Sequence, residues 1–311
     1  MSEGNATHIM KNSKLTNLER RAATLRRIRT FFAARGYLEV ETPLRIPAPL
    51  PEAHITVVSS DGWVLQPSPE ICMKRLLTAG CERIFQICKC FRKAERGRRH
   101  LPEMTMLEWY AAGQTYADLM VGCEELIQDI ARGLGAGGSL DYQGLSIDLS
   151  RPWPRLTVAD AYRRFASVSA EEALAQDRFD EIMGIEVEPQ LGRERPVFLI
   201  DYPAEKASLA RLKPGRPDVA ERFELYIGGL ELCNGFSELN DAAEQRRRFE
   251  AEQQIIRAAG RTVYPLPEKF LEALADLPPC AGNALGIDRL VMLFCDAAAI
   301  DDVVAFSPEE V

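Results

Sequence analysis

Two alternating runs, ERFELYI and LELCNGFSEL, meet at Gly228-Gly229. A glycine pair between such runs signals a two-residue β-hairpin, because both turn positions need positive φ. The chain must therefore build antiparallel sheet here, with successive side chains on opposite faces. With the two glycines as the turn, Ile227 is predicted opposite Leu230, Tyr226 opposite Glu231, and Glu224 opposite Cys233. Glu224 and Glu231 then share a face as diagonal neighbours, their Cβ atoms roughly 7–8 Å apart or slightly less. Two carboxylates so placed can hold magnesium between a protein and a triphosphate. The plainer reading is two exposed glutamates screened by water. Strict alternation turns Asn234 and Glu238 away from Glu231. For Asn234, Phe236 and Glu238 to join Glu231 in one site, the strand must bulge near Asn234-Gly235.

The rest of the chain fits around that sheet. Residues 1–14 are polar and read as a disordered tail. From Asn17, apolar residues recur at helical spacing (Leu18, Ala22, Leu25, Ile28, Phe31, Phe32) until Gly36. YLEVETPLR carries a proline and reads as a strand or strand edge. Ser68-Pro69-Glu70 opens a helix, with serine suited to the N-cap and proline to the first turn. FQICKCFR (85–92) and MTMLEWY (104–110) alternate as strands on either side of a polar loop. GNALGIDR is a glycine-rich turn leading into the apolar helix RLVMLFC. Regular β-α-β alternation and the Walker A sequence are absent. An α+β fold follows, a largely antiparallel sheet flanked by helices.

Three further constellations carry chemistry. Arg92, Lys93, Arg96, Arg98 and Arg99 crowd into eight residues ahead of His100, with Glu95 the one acid among them. Such a loop can clamp a phosphate chain, or it can be a solvated hairpin tip. On the strand 104–110, alternation puts Met104, Met106, Glu108 and Tyr110 on one face, as in a pocket for a cationic, partly apolar ligand. The alternative is a half-exposed strand with one surface glutamate. Gly282 and Gly286 let backbone approach a ligand, and Arg289 adds charge where a helix begins, although glycine turns before helices are common. Glu70 complements the dipole of its helix whatever else it does.

Composition removes other classes. The net charge of −8 leaves no wide basic face for nucleic acid. No apolar run is long enough to span a bilayer, and the polar N-terminus lacks a secretory signal, so a cytoplasmic protein is expected. The eight cysteines form no C-x-x-C pair, which argues for reduced thiols rather than a zinc site.

Taken in order, these segments resemble the catalytic domain of class II aminoacyl-tRNA synthetases, and the lysyl enzymes most closely. The segment from Gly36 to Pro43 is similar to motif 1, FRKAERGRRHLPEMTMLEWY to motif 2, and GNALGIDRL to motif 3. ELYIGGLELCNGFSELND is the most specific stretch. The resemblance covers about residues 17–308, within a catalytic domain expected over 15–311. It implies ATP and Mg2+, with Arg92 on the α-phosphate, Arg289 on the γ-phosphate, His100 nearby, and Glu224 and Glu231 as metal ligands. It implies a lysine-type pocket lined by Glu70, Glu108, Tyr110, Asn234, Phe236 and Glu238. Motif 1 implies a homodimer.

Motif 1 begins too early for an anticodon-binding domain ahead of it, so no tRNA anticodon contact is expected. In that respect the chain resembles the family of elongation factor P β-lysine ligases. Those enzymes activate (R)-β-lysine with ATP and transfer it to a lysine of elongation factor P. Ala284 stands where lysyl enzymes carry glycine in motif 3, and its methyl is expected to disfavour α-lysine. Ala94 stands at the glutamate of the family's Arg-x-Glu, with Glu95 next to it. Met104 replaces the phenylalanine that stacks on adenine. The alternatives are a stand-alone α-lysine ligase for another acceptor, and an inactive paralogue with a binding role.

Overall fold

The computed structural model describes residues 3–311. The chain opens with α1 (Glu3–Ala33) and a short strand β1 (Leu38–Glu39), followed by a small sheet of β2 (Arg45–Ile46), β3 (Val58–Ser60) and β4 (Trp63–Leu65). Helix α2 (Glu70–Thr78) leads into β5 (Arg83–Phe91) and β6 (Glu103–Ala112), and α3 (Tyr116–Gly133) follows. A hairpin of β7 (Ser139–Tyr142) and β8 (Leu145–Asp148) precedes β9 (Arg155–Thr157) and the helices α4 (Val158–Phe165), α5 (Ala170–Ala175) and α6 (Phe179–Ile182). Then come β10 (Val197–Pro203), β11 (Leu212–Lys213), β12 (Arg216–Ile227) and β13 (Leu230–Ser237). Helices α7 (Ala242–Ala258) and α8 (Glu268–Ala273), strand β14 (Cys280–Gly286) and helix α9 (Ile287–Phe294) complete the order.

Among the described residues, the main sheet has nine strands in the order β1-β5-β6-β14-β13-β12-β10-β9, with β11 beside β12. Every pairing is antiparallel except β1 with β5 and β9 with β10, so the expected α+β fold is what forms. One face carries Phe85, Leu107, Trp109, Phe223, Leu225 and Leu285, which pack with apolar residues of α1, α3 and α9 into the main core. Phe32 of α1 stacks on Phe85 with ring centroids 4.8 Å apart. Each such fully buried ring contributes about 1.5–3 kcal/mol. The opposite face is free to carry polar groups.

Two expectations are corrected. The tail assigned to 1–14 is helical from Glu3, Met1 and Ser2 lying outside the described residues; no proline interrupts the approach to Asn17. Lys14 pairs with Glu310 at 2.9 Å, which ties that turn to the C-terminus. The second correction concerns the hairpin. Gly228 and Gly229 have φ of 60° and 72° and make the predicted turn, with Tyr226 opposite Glu231. The register then shifts, so that Leu225 faces Cys233 and Glu224 faces Asn234. The extra residue is Leu232, earlier in the strand than the expected Asn234-Gly235 site. Its buried apolar side chain anchors the bulge, so no glycine is needed there.

Candidate active site

The bulge decides which side chains meet. Glu231 lies opposite Tyr226, on the face that also carries Glu224 and Arg222. Past Leu232, Asn234 and Phe236 lie opposite Glu224 and Arg222, so they join the same face. The next pairings extend it: Ala284 beside Asn234, Gly282 beside Phe236, then Glu108 beside Ala284 and Tyr110 beside Gly282. Met104 and Met106 continue along β6 opposite Cys90 and Cys88. The sequence-predicted residues of the hairpin, of the strand 104–110 and of the glycine turn thus share one polar face behind the main core.

One half of this face suits a polyphosphate. Arg289 donates from Nη1 to the Glu231 carbonyl at 2.9 Å and reaches its carboxylate at 3.3 Å, while Nη2 contacts Nε2 of His100. Burial, with the Arg289 charge beside it, pulls His100 below its ordinary pKa, so it is neutral at pH 7. Arg92 lies 3.5 Å from Glu95, and its buried Nε has no acceptor. A buried guanidinium donor without a partner is a place for an anionic oxygen. Glu224 accepts from Arg222 at 2.8 Å and from Tyr226 at 2.6 Å. Burial first, then the Glu231 charge, raises its pKa. Glu188 joins them across a cavity of about 110 Å³ and is pushed up to about 7 by burial and by Glu231 and Glu224.

Among the described residues, no three His, Cys, Asp or Glu side chains are grouped closely enough to hold a metal by themselves. Magnesium does not need that. One or two carboxylates, water and substrate phosphates suffice, and the mutual repulsion of Glu224 and Glu231 is what a shared cation relieves. The donor set therefore fits Mg2+.

The other half is acidic and closed. Glu70, Glu108 and Glu238 are buried, and so is Lys74. Lys74, one helical turn after Glu70, pairs with it at 2.5 Å and also with Glu238. Glu108 accepts from Ser68 at 2.6 Å and from the Tyr110 hydroxyl at 3.0 Å. Glu70 and Glu238 thus share one ammonium, while Glu108 is held by two hydroxyls and has no paired cation. Burial, reinforced by Glu70, pushes Glu108 up to about 8. Burial likewise raises Glu238 to about 8 against the opposing pull of Lys74. Oε1 of Glu238 has no hydrogen-bond partner. With all three carboxyls ionised, the single Lys74 ammonium leaves the pocket short of positive charge.

Gly282 takes a role different from the predicted ligand approach. A Cβ there would collide with the Tyr110 ring and the Glu238 carboxylate, so the glycine makes room for the pocket's own walls. Phe236 lies against Lys74, 5.3 Å from ring centroid to Nζ. Asn234 accepts from Arg222 Nε at 3.2 Å. Ala284 sits half-buried between the strands of Asn234 and Glu108.

The basic loop divides. Arg92 faces the site, and Arg99 holds the hairpin turn through the Gly229 carbonyl at 3.1 Å. Arg96 is bound by Glu309 at 2.8 Å and Asp301 at 3.1 Å, and Arg98 reaches the Ala298 carbonyl at 3.4 Å, so both fasten the C-terminal segment. Sequence reasoning missed Lys74, Ser68, Arg222, Glu188 and Glu52. Lys74 was visible as the i+4 partner of Glu70, and Arg222 as the alternate neighbour of Glu224. Glu188 and Glu52 lie outside regular alternation and left no such signal.

The sequence profile of the family described as tRNA synthetases class II (D, K and N) matches residues 3–310. The chain belongs to this family. Within the class II synthetase family its relatives include the "Elongation factor P--(R)-beta-lysine ligase" of Salmonella paratyphi B (strain ATCC BAA-1250 / SPB7), 41% identical over 313 residues, covering 95% of this chain and 96% of the relative. The protein of the same name from Salmonella dublin is 42% identical over the same shares.

Proposed function

We propose that this chain activates (R)-β-lysine with ATP and transfers the β-lysyl group to a lysine side chain of elongation factor P. The observation that carries the reading is the charge deficit of the closed pocket. Glu70 and Glu238 share Lys74, Glu108 has no paired cation, and a diamino acid brings two ammonium groups. In this reading Glu70 meets the amine near the carboxylate end, and Glu238 with Tyr110 meets the distal one. The substrate carboxylate then points toward Arg92. It attacks the α-phosphorus of ATP and displaces pyrophosphate. Arg92 and Arg289 stabilise the charge that builds on phosphate oxygens, and neutral His100 donates or accepts without adding charge. Magnesium, when bound at Glu224 and Glu231, screens the repulsion between the phosphates and these carboxylates. Met104 offers a thioether to the purine face, and Glu95 is the acid nearest the missing glutamate position. Ala284 contributes the methyl that disfavours α-lysine.

The reading extends to a cytoplasmic homodimer. β1 lies at the edge of the main sheet, with Leu38 and Leu44 exposed beside it, and this is the motif 1 segment. Among the described residues no helix is long and apolar enough to cross a membrane.

Pyrophosphate exchange with (R)-β-lysine, α-lysine and no amino acid tests the reading, followed by the mass of elongation factor P. Exchange with β-lysine and a β-lysyl mass increment support it. Preference for α-lysine makes the protein an α-lysine ligase, and silence with every amino acid makes it a non-catalytic paralogue.

A further inference from the structure

Amide formation needs a base, because an acceptor lysine arrives as an ammonium ion and only its neutral form attacks an adenylate. The buried carboxylates of the diamine half are already engaged. Glu70 and Glu238 are paired, and Glu108 is hydrogen-bonded inside the closed pocket. Glu52 differs from them. It lies in the loop between β2 and β3, half-buried, and its carboxylate forms no hydrogen bond or ion pair with any described residue. The charges that act on it belong to Glu70, Arg92, Glu252 and Arg222. Its loop docks beside the polyphosphate half, where the Lys93 N–H, next to Arg92, donates to the Thr56 carbonyl at 2.8 Å.

Glu52 also lines a groove of about 410 Å³, together with Ile55, Lys93, Gln253, Arg261 and Tyr264. The loop is held immediately after this residue. Ala53 N–H donates to Glu252 at 2.6 Å, and Arg261 donates to the Ala53 carbonyl and, at 3.4 Å, to Thr56 Oγ1. The carboxylate is therefore fixed in position without being consumed by a partner. Lys93 and Arg261 add two cations to the groove, and like charge lowers the pKa of any ammonium that enters.

We propose that Glu52 is the catalytic base of the transfer half-reaction, and that this groove admits the acceptor lysine side chain. The proposal rests on the function proposed above. The Glu52 carboxylate takes one proton from the acceptor ammonium. The neutral amine then forms a C–N bond to the adenylate carbonyl, and the C–O bond to phosphate breaks. AMP departs, and the second amine proton leaves on its phosphate.

Burial, strengthened by Glu70 and opposed by Arg92, pushes the Glu52 carboxyl up to about 7. The base works only when ionised, so transfer rises with pH through that value. The test isolates the enzyme-bound β-lysyl adenylate, adds elongation factor P, and follows the protein's mass in single turnover from pH 5.5 to 8.5. Glu52→Gln is expected to slow transfer by about 10²–10⁴-fold. It also flattens the pH limb, while pyrophosphate exchange falls far less. Glu52→Asp restores part of the rate and of the pH dependence. Transfer by Glu52→Gln within about threefold of wild type on the wild-type pH profile overturns the proposal, as does equal loss of exchange and transfer in both variants. Absence of β-lysine-dependent exchange in the wild-type protein refutes the proposed function instead, and the base with it.

Discussion

Glu108→Gln isolates the electrostatic cost of the closed pocket. The carboxyl of Glu108 has an unfolded reference pKa of 4.5 and a folded value of about 8. Its proton is held more tightly in the folded state, so between these values the native protein binds more protons than the unfolded chain. Stability is then full below about pH 4.5, falls as pH rises, and levels off above about pH 8. Integrated to pH 7, this one group costs about 3 kcal/mol at about 1.4 kcal/mol per unit. Glutamine mimics the protonated acid and removes the cost. The assay is urea unfolding of ligand-free wild type and variant from pH 5.5 to 8. The variant is expected to gain on wild type by about 2 kcal/mol between pH 5.5 and 7. Subtracting the two curves cancels the parallel slopes of Glu52 and Glu188. Saturating (R)-β-lysine should abolish the difference by supplying the missing ammonium to wild type, while the variant binds the amino acid weakly. Curves that run parallel across this range would refute the charge-deficit argument, whatever the activity of the variant.

Other substitutions test neighbouring parts of the argument. Gly282→Ala should leave a folded protein that has lost β-lysine binding, read by calorimetry, because its Cβ displaces Tyr110 and Glu238. Ala284→Gly should raise α-lysine-dependent pyrophosphate exchange by about 5–150-fold relative to β-lysine, the value of one methyl in a tight pocket; no gain would remove Ala284 from the specificity account. Glu231→Gln should raise the magnesium concentration needed for half-maximal exchange and also loosen Arg289, which that carboxylate holds at 3.3 Å. An unchanged magnesium dependence would place the cation elsewhere.

The parts of the site legible in the sequence were those governed by local rules. A Gly-Gly turn fixes φ > 0 and hence the hairpin, and alternation put Glu108 and Tyr110 on one face. The bulge was inferred from a demand, that Asn234, Phe236 and Glu238 join Glu231, but its position was set by how well Leu232 packs. Packing depends on distant elements, so a glycine was the only candidate visible in the chain itself. The same limit applies to the basic loop. Five cations in eight residues read alike, yet Arg96 and Arg98 are claimed by Asp301, Glu309 and the Ala298 carbonyl, some two hundred residues away. Glu52 lies in a stretch without periodicity, and its surroundings arise only from the approach of α7 and β12.

Leu232 makes β13 change parity. Odd-numbered Glu231 and even-numbered Asn234, Phe236 and Glu238 look the same way because a single residue was added between them. Pairing Leu232 into a regular ladder, without the bulge, would present Cys233, Gly235 and Ser237 in their place, a thiol, a hydrogen atom and a hydroxyl where an amide, a ring and an acid now stand. The nucleotide side would keep its footing while the diamine receptor turned into a small neutral surface. What this protein recognises is thus stored partly in pairing: in where one strand steps out of its ladder, as much as in which residues it carries.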